Sequence, residues 1–129
     1  METNEVRIGN YIMDKKDENI EYVYLIQNLG DLVYINDLHP DNCIPIPLTE
    51  EWLLKFGLEQ MKDSSTYEWK DGDYRSVQVD LKANEAEIYL CGYDSVMASQ
   101  CFPVDYIKYV HQLQNLFFAL KGKELTIKN

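Results

Sequence analysis

The sequence predicts an α+β fold in which antiparallel strands are followed by one long C-terminal amphipathic helix packed on the sheet. The first observation is the apolar periodicity of residues 103–122, which at about 100° per residue gathers large apolar side chains on one wide arc. The second is the alternation within residues 74–81, where Val77, Val79 and Leu81 share one face. The third is the series of turn signals that separates short strand-like segments. A wide helical arc beside such strands predicts a helix lying on a sheet.

Composition predicts a single domain over residues 1–129 and narrows the classes of partner. Of the 129 residues, 46% are hydrophobic, which suits a globular domain that buries about two thirds of its unfolded surface. The formal net charge is -10. We expect no non-specific binding to nucleic acid and no binding to anionic membranes, because both depend on basic residues. Neither a signal peptide nor a membrane span is expected from the pattern of apolar residues.

The three cysteines, Cys43, Cys91 and Cys101, are odd in number and have no repeated spacing. This pattern is more typical of a reducing cytosol than of a disulfide scaffold. Together with the lack of a targeting segment, it predicts a cytoplasmic protein.

Residues 1–47 are predicted to form a small N-terminal β meander that curls into a partial barrel. Gly9 lies inside the first predicted strand and indicates a bulge or a close backbone approach. Residues 14–19 are predicted to be a charged loop, and three prolines within residues 39–47 predict an extended connection. The strands are expected at residues 6–13, 20–27 and 32–35.

A short helix is predicted over residues 48–58. Thr49 is a typical N-cap, and the acidic residues that follow it suit the positive end of the helix dipole. Gly57 can adopt the left-handed conformation that ends a helix, and Leu58 can then fold back on the apolar side. Two turns are too few for a helix to be stable alone, so we expect this helix to depend on packing.

An antiparallel β meander is predicted over residues 65–102, and the closing helix over residues 103–122. Pro103 suits the first turn of a helix, because its missing N–H is not needed there. Gly122 can end the helix in the left-handed conformation. The strands of the meander are expected at residues 66–69, 74–81, 86–91 and 95–102.

Three segments of the chain carry a family resemblance. They are RIGNYI at 7–12, PIPLTEEWLLKFGLE at 45–59 and YVHQLQNLFFALKGKELTI at 109–127. They resemble a family of small, functionally uncharacterised proteins that are encoded by phages, prophages and mobile elements of gut Bacteroidetes. The resemblance implies a phage or prophage protein that acts inside a bacterial cell, and it implies no catalytic residues.

Candidate ligand-binding residues come from the few basic, amide and aromatic side chains. If the chain binds a small nucleotide, Arg7 and Arg75 are expected to meet tyrosines such as Tyr74 in one pocket. Gln114 falls inside the apolar arc of the closing helix, and His111 lies at its edge. Each of these two side chains therefore needs a partner, which either the protein or a ligand can supply.

The tyrosines of the chain are numerous enough to line a face or a pocket, although core and interface packing is the favoured explanation for them. The members of this set, with one tryptophan, are Tyr22, Tyr24, Tyr34, Tyr67, Trp69, Tyr74 and Tyr89.

No metal site, cofactor or catalytic residue is predicted. His39, Asp41 and Cys43 lie close together in the sequence but lack the paired spacing of a zinc site. Residues 71–73 lack the twelve-residue pattern of a calcium loop and are better explained as a hairpin turn. The sequence has no nucleophile motif and no glycine-rich phosphate loop.

These observations favour a non-enzymatic binding protein that contacts a host protein or a second copy of itself. Interference with a host protein of antiviral defence belongs to this class. The alternative is a protein that binds or sequesters a small nucleotide signal, and a hydrolase is the least favoured hypothesis.

Overall fold

The computed structural model describes residues 6–17, 20–34, 43–62, 64–70, 75–83, 85–92 and 100–128. Over these residues the fold is α+β, as predicted, with two antiparallel sheets and three helices. The chain divides into two compact units, Met1–Pro47 with Tyr109–Glu124 and Leu48–Lys108 with Leu125–Asn129. The assignment of residues 1–129 to a single domain stays a prediction.

The first unit contains a three-stranded sheet with the order β2-β1-β3, in which β1 is antiparallel to both neighbours. Its strands are β1 Tyr11–Asp17, β2 Ile20–Leu25 and β3 Cys43–Ile44. A buried cluster lies against this sheet and consists of Val6, Ile12, Ile26 and Cys43, with Tyr24, Leu32 and Tyr34 packed on it. The charged loop predicted at residues 14–19 is therefore wrong over residues 14–17, which belong to the central strand.

The strand predicted at residues 32–35 is wrong over its described part, because a helix, α1 (Leu29–Val33), lies there. The Asn28 side chain caps this helix by accepting a hydrogen bond from the Asp31 N–H at 3.0 Å. Such a cap favours a helical turn over an extended strand. The third strand of the sheet comes instead from the proline-rich segment, and the three described strands do not close into a barrel.

The C-terminal helix, α3 (Val110–Lys121), belongs to the first unit and packs against β1. It buries Leu113 and Phe117 along with Val110. Gly122 ends the helix with a φ of 70°, as predicted. The helix predicted over residues 103–122 is therefore confirmed at its end and wrong at its start.

Residues 103–107 belong to a strand, β8 (Gln100–Ile107), and not to the helix. The cause is pairing with the neighbouring strand, since Ile107 lies opposite Ala86 and is only 5% exposed. This pairing gives backbone N–H and C=O groups of residues 103–107 hydrogen-bond partners in the sheet. Pro103 is tolerated because β8 lies at the edge of its sheet. On the open side of an edge strand, a missing N–H removes no hydrogen bond between strands.

The second unit contains a five-stranded antiparallel meander with the order β4-β5-β6-β7-β8. Besides β8, its strands are β4 Glu59–Gln60, β5 Thr66–Lys70, β6 Arg75–Leu81 and β7 Ala86–Gly92. Val77 and Val79 are buried on β6, and they share their face with buried Tyr67 and Ile88 on the adjacent strands. The alternation in the sequence therefore correctly predicted the core face of this sheet.

The short helix α2 (Glu50–Lys55) has the signals that the sequence predicted. The Thr49 hydroxyl accepts a hydrogen bond from the Trp52 N–H at 3.4 Å. Gly57 has a φ of 91°, and the Leu58 N–H donates to the Leu53 carbonyl at 3.0 Å. This pattern is a Schellman ending, in which the residue after the glycine folds back on the helix.

Cys91 and Cys101 form a disulfide, whereas the cysteine pattern of the sequence was more typical of a reducing cytosol than of a disulfide scaffold. The two residues lie opposite each other on β7 and β8. Strand register, and not sequence spacing, brings them together, so the sequence alone did not predict the bond. Cys43 is buried and takes no part in this disulfide.

Candidate functional site

The candidate site is a cavity of about 510 Å³ in the first unit. The described residues that line it are Asp14, Tyr22, Val23, Tyr24 and Tyr34, and we call it the tyrosine cavity. Its volume lies within the usual range of ligand pockets, about 300–1,000 Å³. An aromatic lining with one charged group is the kind of lining that both holds and orients a bound group.

Strand register places the lining residues beside each other. Asp14 on β1 is paired with Tyr22 on β2, so both side chains point to the same face of the sheet. Tyr24 follows two residues after Tyr22 and lies opposite Ile12, which puts it on that face as well. Ile12 and Cys43, the partner of Asp14 on β3, belong to the buried cluster. The cavity therefore lies directly beside the hydrophobic core of this unit.

Asp14 is the chemically distinctive residue of the tyrosine cavity. Only 4% of it is exposed, and its Oδ1 atom has no hydrogen-bond partner among the described residues. A buried carboxylate oxygen without a partner is unfavourable, because it has lost its hydration and gained nothing in return. The lining residues described here include no lysine, arginine or histidine that could neutralise the carboxylate. Asp14 therefore has the capacity to bind an incoming group.

Glu87 in the second unit shows how this chain satisfies a carboxylate that is similarly buried. Lys82 Nζ lies 3.0 Å from Glu87 Oε2. The hydrogen bond from Lys82 is the main cause that lowers the pKa of Glu87, and hydrogen bonds from Tyr89 and Tyr106 act in the same direction. Asp14 Oδ1 has no equivalent arrangement in the described part of the chain.

Asp31 fixes one wall of the cavity by binding the hydroxyl of Tyr24. Tyr24 donates to Asp31 Oδ1 at 2.6 Å, and the Gln27 N–H donates to Asp31 Oδ2 at 2.8 Å. The hydrogen bond to Asp31 raises the pKa of Tyr24 to about 12 and lowers the pKa of Asp31. Because the hydroxyl proton of Tyr24 is directed at Asp31, it is not available to Asp14.

The substitution Tyr24→Phe is expected to raise the pKa of Asp31 toward its ordinary value of 3.8. In the wild type, the stability that the raised pKa of Tyr24 adds to the folded protein is complete below the ordinary pKa of 10.0. It is lost as the pH rises through about 12. The stability that the lowered pKa of Asp31 adds is complete above the ordinary pKa of this carboxyl. It is lost as the pH falls through the lower pKa that Asp31 has in the folded protein. The wild type should therefore exceed the variant in free energy of unfolding mainly between about pH 4 and pH 10.

Carbon-13 NMR titration of the Asp31 carboxyl and urea unfolding at several pH values measure these two effects. Tyr22→Phe is the matched control, because Tyr22 is 52% exposed and leaves the Tyr24 contact intact. An unchanged pKa of Asp31 in Tyr24→Phe contradicts the role assigned to this hydrogen bond.

Gln114, a candidate from the sequence, connects α3 to the start of β1. Its Oε1 atom accepts a hydrogen bond from the Tyr11 N–H at 2.9 Å, and its Nε2 atom donates to the Gly9 carbonyl at 2.9 Å. Gly9 has a φ of 100°, in the region that favours glycine, and its carbonyl is thereby presented to the helix. Gln114 does not line the tyrosine cavity, and a ligand-binding role for it stays a prediction.

Arg7 is engaged by the same part of α3. Its guanidinium forms an ion pair with Glu124, donates to the Gln114 carbonyl at 3.1 Å and lies 4.7 Å from the centroid of the Phe118 ring. His111 is fully buried, and its ring stacks on that of Tyr109 with 5.9 Å between centroids. The structure therefore brings Arg7 close to Gln114, but neither Arg7 nor His111 lines the tyrosine cavity.

The remaining sequence candidates, Arg75 and Tyr74, belong to the second unit. Arg75 begins β6, and its side chain lies outside the described part of the chain. Tyr74 itself lies outside the described residues, as do His39 and Asp41. Among the residues that the structure describes, no three His, Cys, Asp or Glu side chains come together in a way that could hold a metal ion.

Asp14 is a site residue that the sequence did not indicate, because the charged run that follows it resembles a loop. The available signal was the alternation of Tyr22 and Tyr24 in β2, which places two tyrosines on one face of a strand. Their suggested role in lining a pocket agrees with the structure for Tyr22, Tyr24 and Tyr34.

Comparisons with known proteins assign no function to the site. No protein-family model, curated protein or solved structure matches this chain. None of the helices within the described ranges is long and apolar enough to cross a lipid bilayer.

Proposed function

We propose that this chain is a non-enzymatic binding protein that holds another protein by receiving one of its side chains in the tyrosine cavity. The observation that carries the proposal is the buried Oδ1 atom of Asp14, which lacks a partner in the described structure and belongs to a residue that lines an aromatic cavity. A bound group that contacts this oxygen would replace the hydration that burial removed.

The rim of the cavity supports a protein as the bound partner. Tyr22 and Val23 line the cavity and are 52% and 51% exposed. Tyrosine is among the residues enriched at protein interfaces, because it combines a large apolar ring with a polar tip. A partner that covers this rim while one side chain enters the cavity would bury both residues.

The family resemblance adds the origin and the partner to the proposal. The protein is encoded by a phage or prophage, and its partner is a host protein, such as one of antiviral defence, or a second copy of the chain. The bacterial cytoplasm is the proposed compartment. The Cys91–Cys101 disulfide argues against this compartment, because disulfides persist mainly where the surroundings are oxidising. Alkylation of thiols before cell lysis tests the point, since a cytoplasmic protein is expected to have all its cysteines alkylated.

Affinity capture from bacterial lysate, combined with light scattering, tests the binding function with the variant Tyr22→Ala. We expect the wild type to retain a partner or to form a dimer, and Tyr22→Ala to lose that interaction. Leu54→Ala is the matched control, because Leu54 is a similarly exposed apolar residue on α2 of the second unit. A monomer that captures the same proteins before and after the Tyr22→Ala substitution contradicts the proposal.

A small organic ligand is the alternative, and the volume of the cavity favours it. For the nucleotide version of this alternative, Arg7 would have to exchange its contact with Glu124 for a phosphate. Thermal unfolding against a panel of nucleotides tests the idea, because a true ligand raises the unfolding temperature in proportion to its concentration relative to its Kd.

A further inference from the structure

We infer that the tyrosine cavity selects an organic cation that carries N–H donors, namely a guanidinium or a primary ammonium group. The inference rests on the proposed function and supplies the chemistry of the side chain that the partner inserts, which would be arginine or lysine.

The charge of the tyrosine cavity favours a cation. The Asp14 carboxylate is 4% exposed, and the described residues around the cavity supply no positive side chain. An anionic guest would place like charges together, and a neutral guest would leave the carboxylate uncompensated. A cationic guest forms an ion pair with a carboxylate that is itself largely removed from water, and such a pair is stronger than one between two fully exposed groups.

The unsatisfied acceptor on Asp14 favours a guest that carries N–H donors. Asp14 Oδ1 is an acceptor without a donor among the described residues. Tyr24 cannot supply the donor, because its single hydroxyl proton is directed at Asp31 Oδ1 at 2.6 Å. A quaternary ammonium group would supply charge but no N–H, and would leave the acceptor unsatisfied. Guanidinium and primary ammonium groups supply both, and their hydrogen bonds to carboxylates are among the strong ones.

The aromatic lining of the cavity also favours a cation. Tyr22, Tyr24 and Tyr34 all line the cavity beside the carboxylate. The face of a tyrosine ring is negative and attracts a cation that lies over it. A planar guanidinium can also stack on such a ring. The formal net charge of -10 for the chain adds long-range attraction for a positively charged partner.

NMR titration of the full chain at constant ionic strength tests this selectivity. The probes are the capped amides of arginine and lysine, with the capped amide of citrulline as a neutral isostere of arginine. Tetramethylammonium supplies charge without N–H donors. We expect the ring signals of the cavity tyrosines to saturate with the arginine and lysine probes at concentrations about tenfold below those needed for the other two. Equal binding of the citrulline probe or of tetramethylammonium overturns the inference.

Variants identify the site. Asp14→Asn keeps the shape of the side chain and removes its charge, and is expected to weaken arginine binding about tenfold. Asp105→Asn is the matched control, because Asp105 is exposed on β8 of the second unit. Tyr22→Leu is expected to leave the fold intact, because Tyr22 is exposed, and to weaken binding about two- to fivefold. It therefore tests the site even if Asp14→Asn does not fold. Unchanged binding in Tyr22→Leu, or in folded Asp14→Asn, overturns the inference.

A last comparison separates this inference from the proposed function. A capped pentapeptide with a central arginine represents a protein partner, and agmatine represents a free small cation. Tighter binding of the pentapeptide supports both the cation selectivity and the protein-binding function. Tighter binding of agmatine supports the selectivity and contradicts the protein-binding function. If neither binds, while captured partners still depend on Tyr22, the selectivity is wrong and the protein-binding function stands.

Discussion

The substitution Phe117→Ala is expected to lower the free energy of unfolding by about 3–5 kcal/mol. Phe117 lies on α3, is 2% exposed and is among the largest fully buried side chains of the described structure. The substitution loses the free energy that is gained when the ring is transferred out of water. It also leaves a cavity that the surrounding side chains fill only in part. Because a domain has a total stability of about 5–15 kcal/mol, this loss brings the protein near the limit of folding.

The adjacent residue provides the control for this prediction. Phe118 is 44% exposed, and its ring contacts the guanidinium of Arg7. Phe118→Ala is therefore expected to cost only about 1 kcal/mol or less. Urea unfolding of the two variants measures both values with the same chemical change on the same helix. If the two variants lose equal free energy of unfolding, the difference in burial between Phe117 and Phe118 does not determine their contributions to stability.

The substitution Gln114→Leu is expected to destabilise the protein by about 2–5 kcal/mol, although it makes a buried side chain more apolar. The side-chain amide satisfies the Tyr11 N–H and the Gly9 carbonyl, each at 2.9 Å. Leucine would leave the buried Tyr11 N–H and the half-buried Gly9 carbonyl without this partner. Leaving a buried polar group unsatisfied costs about 1–3 kcal/mol.

Gln27→Leu is the matched control for this substitution, because the Gln27 side chain is exposed. Its effect is expected to lie within about 0.5 kcal/mol. Denaturant unfolding compares the stabilities, and amide hydrogen exchange at Tyr11 reports the lost contact directly. If exchange at Tyr11 is as slow in Gln114→Leu as in the wild type, the assigned anchoring role is wrong.

Local signals in the sequence were sufficient to predict the elements whose structure is decided locally. Thr49 and Gly57 bound α2, and the alternation around Val77 and Val79 in β6 gave the buried face of the second sheet. In each case the deciding interactions lie within a few residues of one another or repeat with the period of the element.

The sequence failed where distant pairing decides the outcome. Pro103 begins an apolar helical pattern, yet β7 offers a strand edge that residues 100–107 complete. The same pairing places Cys91 opposite Cys101, which no spacing rule indicates. Asp14 was hidden for a related reason, because only the register of β1 against β2 and β3 makes a residue within a charged run part of a buried face.

The contact between α3 and β1 has a consequence for synthesis on the ribosome. Tyr11 begins β1 near one end of the chain, and Val110 begins α3 near the other. The roughly 100 residues between them take about 5–20 s to translate, at typical rates of elongation. Throughout that interval the nascent β1 lacks the amide of Gln114 and the ring of Phe117. The emerging strands are therefore candidates for chaperone protection until α3 has left the exit tunnel.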